Sequence, residues 1–201
     1  CTVPDYPCDY TPTWCDTGLG TGVVFPAGGY AANKPCPIAD GRRYMVRDQP
    51  DLAGTFACAA QLGISGSSRL GETMAIAVQP WMNDRGSCNE GFLRDDALLM
   101  VTLITNTYDQ EGGNASSQEG TPETWTTAVR EAKHGDLESV VALGILPTEG
   151  PGCDKLDRLC QMLELFPHAL NRDCWGEEYG SYFEEAADLV EVACAGFVPP
   201  G

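Results

Sequence analysis

ALLMVTLIT, residues 97–105, decides the fold class. It carries no charge, is aliphatic and β-branched, and follows directly on Asp95 and Asp96. A short apolar run without helical spacing reads as a strand buried on both faces of a parallel sheet. SVVALGIL at 139–146 repeats the pattern. Between the two lies a polar stretch, NTYDQEGGNASSQEG, with no hydrophobic anchor. Thr121-Pro122-Glu123 then opens a helix, with Thr as N-cap and Pro in the first turn. Trp125, Ala128, Val129 and Ala132 form its apolar face. Strand, helix and strand in this order predict an α/β domain with parallel strands and right-handed crossovers.

Working outward, Leu52, Phe56, Ala59, Ala60 and Leu62 suit a short amphipathic helix. After the break GISGSSRLG, residues 72–82 read as a helix with Met74, Ala75, Val78 and Met82 on one face. Downstream, 154–166 reads as a helix on Leu156, Leu159, Leu163 and Leu165, and 179–193 as a last helix through Phe183, Ala187, Leu189, Val190 and Val192. Residues 1–50 differ in kind: Pro, Gly, Tyr and Asp dominate, and only 22–25 looks like a short strand. We therefore divide the chain into a Cys-rich, loop-dominated segment at 1–50 and an α/β domain at 51–201. A long irregular segment of this sort points to a surface or binding role.

Composition narrows the function. The 201 residues hold 29 acidic and 12 basic side chains, a formal charge of -17. That excludes the phosphate-neutralising footprint of a nucleic-acid binder, and an anionic membrane surface would repel it. No apolar run reaches the roughly 18–20 residues of a membrane span. At 43% hydrophobic residues the chain can build a core.

The ten cysteines are Cys1, Cys8, Cys15, Cys36, Cys58, Cys88, Cys153, Cys160, Cys174 and Cys194. With no CxxC and only His134 and His168 to help, zinc-type spacing is absent. A structural disulfide set is expected, and with it an oxidising compartment: secreted or cell-surface, or lipoprotein-derived with a lipidated N-terminal Cys. About 945 pairings are open, so connectivity is not readable; Cys1–Cys8 and Cys174–Cys194 are local guesses. Secretion requires a signal peptide, and the first residue is Cys1, so a processed or partial chain is expected.

In open α/β sheets ligands bind outside the carboxyl ends of the strands. Thr105, Asn106, Thr107 and Asp109 bring hydroxyl, amide and carboxylate oxygens to one such tip, the ligand types that Mg²⁺ or Ca²⁺ take. The turn at 65–68 could face them; the plain alternative is that Asn106 and Asp109 cap the strand and start a turn. Ser65 lacks the second Gly of a nucleophile elbow. His134 and His168 read as exposed or helix-capping, so no catalytic triad is supported. Carboxylates are plentiful, but no pair is singled out for glycoside hydrolysis. Glu177, Glu178, Glu184 and Glu185 read as a solvated helix face, and the sequon at Asn114 as incidental. Tyr10, Trp14 and Tyr30 could form a sugar- or protein-binding surface, though packing around disulfides is the commoner use of such aromatics.

FACAAQLGISG, CNEGFLRDDALLMVTLITNTYD, TPETWTTAVREAKHGDLESVVALGIL and YGSYFEEAADLVEVACAGFVPP, in that order, resemble the cysteine-rich von Willebrand factor A-like proteins, secreted or lipoprotein, of myxobacteria and related Deltaproteobacteria. The resemblance covers roughly residues 51–200. It implies a doubly wound (Rossmann-like) sheet with a metal-ion-dependent adhesion site at the strand tips. Its helix-opening Thr falls on Ser68 and its strand-tip Asp on Asn106, with Asp109 as a compensating carboxylate. Ser68, Asn106 and Asp109 are thus the implied ligands of a degenerate Mg²⁺ or Ca²⁺ site. The family's DxSxS motif is missing, and its first strands with it. In that fold the first strand pairs beside 97–105, so the resemblance implies that an upstream polypeptide or a second chain completes the sheet; the alternative is that the segment at 1–50 covers that edge in a new way.

The expected function is a non-catalytic extracellular adhesion module, not an enzyme, recognising a protein or cell-envelope partner. The alternative is a structural subunit of a filament, pilus or coat. A carboxylate hydrolase is the third reading, with no residue constellation behind it.

Overall fold

In the computed structural model, residues 5–63, 69–107, 120–147, 153, 157–176 and 178–199 are described. In chain order the elements are α1 (Trp14–Thr17), one 3-10 turn (Ala39–Gly41), α2 (Leu52–Ala60), α3 (Leu70–Ala77), α4 (Pro80–Asn83), β1 (Leu99–Ile104), α5 (Pro122–Ala132), β2 (Val140–Leu146), α6 (Arg158–Leu163), β3 (His168–Asp173) and α7 (Tyr179–Gly196). Two compact units emerge: Cys1–Gly66 with Pro80–Phe92, and Ser67–Gln79 with Leu93–Gly201.

The second unit holds a parallel sheet in the order β1-β2-β3. Every residue of β2 is buried, as expected of a central strand covered on both faces. One face, with Val101, Leu103, Val140, Ala142 and Leu146, packs with Trp125, Val129, Leu159, Met162 and Leu163 from α5 and α6. Leu143 and Ile145 point the other way, onto Ala186 of α7 and Cys174. The mixed α/β class and the parallel strands therefore stand. Lys133, after α5, is buried and donates to the carbonyls of Arg94 and Ala97 at 3.0 and 2.7 Å, fixing the turn that feeds β1.

α5 starts as its sequence dictates: the Thr121 hydroxyl accepts from Thr124 N, and the Thr124 hydroxyl accepts in return from Thr121 N. Four expectations are corrected. The helix expected over 72–82 breaks into α3 and α4, because Pro80 has no amide hydrogen and disfavours helical geometry at Gln79. Met82 consequently belongs to the first unit while Val78 joins the sheet core. Residues 22–25 form no strand: Gly22 N donates to Asn89 Oδ1 and Val24 O accepts from Cys36 N, so loop and side-chain partners replace a ladder. The described helix near 154–166 is the six residues of α6, with Asp157 accepting from Leu159 N and Cys160 N. Residues 154–156 lie outside the described residues. His168 opens β3, a strand the sequence did not announce, with its Nε2 3.1 Å from Glu138.

β1 also departs from expectation. Only Val101 and Leu103 are buried; Met100 and Ile104, on the opposite face, are 41% and 50% exposed. α7 packs on β2 and β3 over that face. Its Glu185 contacts Arg172 of β3, so the opposite flank of the helix, with Phe183, Ala187 and Cys194, turns to the β1 side. Phe183, Ala187 and Cys194 are exposed as well.

The first unit is built by cross-links. Cys15–Cys88 spans 73 residues and Cys36–Cys58 spans 22. Tyr10 packs on Phe25 with ring centroids 4.4 Å apart, and Tyr6 stacks on Tyr10. Asn89 is buried and donates to Gly20 O at 2.8 Å. Asp16 and Arg43 form a desolvated pair at 2.7 Å, their side chains 2% and 14% exposed. Arg43 also donates to Gly22 O, and Asp16 accepts from the amide and hydroxyl of Thr13. Burial raises the Asp16 pKa, but the Arg43 and Thr13 hydrogen bonds outweigh it and hold the carboxyl below the ordinary 3.8. A carboxylate with a depressed folded pKa stabilises fully above its unfolded pKa and loses that contribution as pH falls through the folded value. Acid titration from about pH 4 downward should therefore loosen this unit, and Asp16→Asn should cost about 2 kcal/mol at neutral pH and flatten that acid limb. Chemical denaturation at pH 7 and pH 3 checks it; an unchanged acid limb in the variant would contradict the assignment.

Candidate functional site

The three parallel strands put their carboxyl ends at one end of the sheet, where the sequence placed the site. At the β1 tip, Thr105 Oγ1 accepts from Thr107 N at 3.1 Å and lies 3.0 Å from Thr107 Oγ1, a self-satisfied hydroxyl turn. Asn106 sits exposed between them. Ser68 and Asp109, the other two implied ligands, lie outside the described residues. At the β3 tip, Asp173 accepts from Trp175 N at 3.1 Å. Two strand spacings, about 10 Å, separate the β1 and β3 tips, so Asn106 and Asp173 do not share one small ion directly. Among the described residues no group of three His, Cys, Asp or Glu stands close enough to hold a metal. The implied set includes a hydroxyl, an amide and two undescribed positions, so that finding does not bear on it.

The remaining candidates separate cleanly. His134 Nε2 lies 3.0 Å from Asp95 Oδ1, with both side chains exposed. It adopts a left-handed φ of 55° just after α5, as a C-terminal helix residue does. Tyr10 is a packing residue, as its contacts with Tyr6 and Phe25 show. Tyr30 and Trp14 stand exposed. Trp81, which the sequence did not single out, lies with its ring 6.3 Å from that of Trp14.

Among the described residues three disulfides have both partners in place, Cys15–Cys88, Cys36–Cys58 and Cys153–Cys160; Cys8 is disulfide-bonded as well. Cys1 lies outside the described residues. A disulfide-rich protein of an oxidising, extracellular setting fits, and among the described residues no helix is long and apolar enough to cross a membrane. The pairing Cys174–Cys194 is corrected: both are free thiols. Cys174 packs beside Ala186. Cys194 lies eight residues further along α7, about 12 Å by helix rise, beyond the span a disulfide bridges. Burial, then the neighbouring Asp173, pushes the Cys174 thiol above its ordinary value of 9.0. Iodoacetamide on the native protein should label Cys194 and spare Cys174 until denaturation. Peptide mass mapping reads this, and native labelling of Cys174 before Cys194 would contradict it.

No family model, no curated protein and no solved structure matches the chain.

Proposed function

We propose that this chain is a non-catalytic extracellular binding module on a doubly wound sheet of von Willebrand factor A type, taking a protein or cell-envelope partner. The observation that carries the reading is the outer edge of β1. Leu99 N donates to Ser139 O and Thr105 N to Ile145 O, so by alternation the odd-numbered amides of β1 face β2. The amides of Met100, Thr102 and Ile104 face away, and no described residue pairs with them. LMVTLI holds no Lys, Pro or bulge of the kind that blunts an exposed edge. Met100, Ile104, Phe183 and Ala187 add an uncovered apolar face beside it. An extended segment added there would gain main-chain hydrogen bonds along the edge and apolar burial on the face. In this reading the sheet is completed by a polypeptide segment from outside the described residues.

At the strand tips the same reading places a degenerate cation site on Ser68, Asn106 and Asp109. Asn106 supplies an oxygen without a charge, so affinity for Mg²⁺ or Ca²⁺ falls to about the millimolar range of weak extracellular sites. Calorimetry should show binding heat with either ion at millimolar concentration, abolished by Asp109→Ala and weakened by Asn106→Ala. No heat and no thermal shift would remove the metal from the reading.

A further inference from the structure

We propose that Trp14 and Trp81 form a second binding site, a platform for the C–H face of an uncharged or amino-bearing pyranose in a glycan. The two residues are 67 positions apart in the sequence, and the fold of the first unit makes them neighbours. Trp14 precedes Cys15, and Cys15 is bonded to Cys88. Trp81 sits on α4, which is pinned from both sides: Met82 is fully buried, Asn89 N donates to Met82 O at 2.9 Å, and Ser87 Oγ donates to Trp81 O at 2.7 Å. The α1 turn is equally fixed, with Thr13 and Asp16 closing a capping box and Gly18 N donating to Trp14 O. A Cβ at Gly18 would stand 3.2 Å from the Trp14 ring, so that indole lies against bare backbone.

Large aromatic side chains on so fixed a backbone normally serve as core. These two are 58% and 52% exposed, their centroids 6.3 Å apart and their planes at 53°. Each leaves about 100 Å² of ring surface in water. The composition around them argues for the occupant. Their chain neighbours Thr13, Thr17, Asp84 and Arg85 are exposed polar groups. A protein interface instead surrounds its aromatic anchors with a contiguous apolar core. The first unit has a mainly apolar surface elsewhere, a groove of about 250 Å³ lined by Val23, Ile38, Met45, Phe56 and Leu62 together with Arg43 and Tyr44. Exposed indole faces on segments whose neighbouring residues in sequence are exposed and polar match a pyranose: its axial C–H bonds meet the electron-rich ring face, and its hydroxyls stay within a polar, solvated setting. The charge of -17 selects further, against sulfated and uronic-acid polymers and in favour of neutral or amino sugars.

The site is independent of the strand tips and of the β1 edge, so it can fail or stand without them. The test is a titration of the full chain with cello-oligosaccharide and chito-oligosaccharide, with heparin as the polyanionic control, read by indole Nε1–H resonances and tryptophan fluorescence. One of these two series should shift the Trp14 and Trp81 indoles with a Kd of about 0.1–5 mM. Trp14→Ala and Trp81→Ala should each weaken this about tenfold or more. Both indoles are about half exposed, so each variant should still unfold in one cooperative transition, which separates lost sugar binding from lost folding, and Asn106→Ala should bind sugar as the parent does. No shift of either indole up to about 20 mM sugar would overturn the proposal. So would a response retained in the double variant, stronger binding to heparin, or indole shifts caused only by a protein ligand.

Discussion

Replacing Cys15 and Cys88 together by Ser should destabilise the first unit by about 4 kcal/mol, the largest loss expected among the three described bridges. The cause is the 73-residue separation, which removes far more chain entropy from the unfolded state than the 7 residues between Cys153 and Cys160. On the same relation the short bridge is worth about 2.5 kcal/mol and Cys36–Cys58, at 22 residues, falls between. Around the long bridge, the described residues of the first unit add the Tyr6–Tyr10–Phe25 cluster, the Trp14–Trp81 and Tyr44–Phe92 pairs, the buried Asp16–Arg43 pair and side-chain-to-backbone bonds such as those of Asn89. Urea denaturation of the three double variants should rank them in that order. The 15/88 variant should also lose the near-ultraviolet signal of the Trp14–Trp81 pair, which the bridge aligns. A ranking with Cys153–Cys160 first would contradict the account of how this unit is held.

Trp125→Ala should cost the second unit about 3–5 kcal/mol. Trp125 is 2% exposed, and three elements are fitted to its ring. A Cβ at Gly71 of α3 would lie 2.4 Å from ring carbon Cε3, so only glycine lets α3 approach this closely. Gly120 lies against the indole nitrogen with a φ of +97°. The Arg158 guanidinium stacks over the ring at 4.6 Å, tying α6 to α5. Truncation leaves a cavity with Gly71 and Gly120 along part of its wall, where no side chain can swing in to fill it. The contact is testable from the other side. Gly71→Ala should cost about 1–3 kcal/mol by overpacking in the parent, and much less in the Trp125→Ala background. Additive effects would show that the two residues do not share one packing site.

Legibility in the sequence followed the physics of each segment. β2 was readable because a central parallel strand must be apolar at every position, and α5 because its cap, proline and apolar face agree. β1 lies where its apolar run predicts, but an all-apolar composition does not guarantee burial on both faces: Met100 and Ile104 are core residue types without a cover among the described residues. β3 escaped because HALNRD is polar and half-buried throughout, with no apolar alternation to betray it. The apolar spacing of Met74, Ala75, Val78 and Met82 runs straight through Pro80, which ends the helix all the same. In the first unit the sequence announced disulfides and could not pair them, since Cys15 and Cys88 meet only through the tertiary fold. Trp81 stayed hidden for the same reason. At the strand tips, residue types pointed to Asn106, whose position after β1 is as expected, whereas Ser68 and Asp109 lie outside the described residues.

The most direct test of the binding-module account is residue-resolved amide hydrogen exchange along β1 of the isolated chain. An edge kept open for a partner strand leaves Met100, Thr102 and Ile104 exchanging about a hundredfold or more faster than Leu99, Val101 and Leu103, whose amides are bonded to β2. Equal protection of the two sets would mean that the edge is already filled by this chain, and would contradict the account.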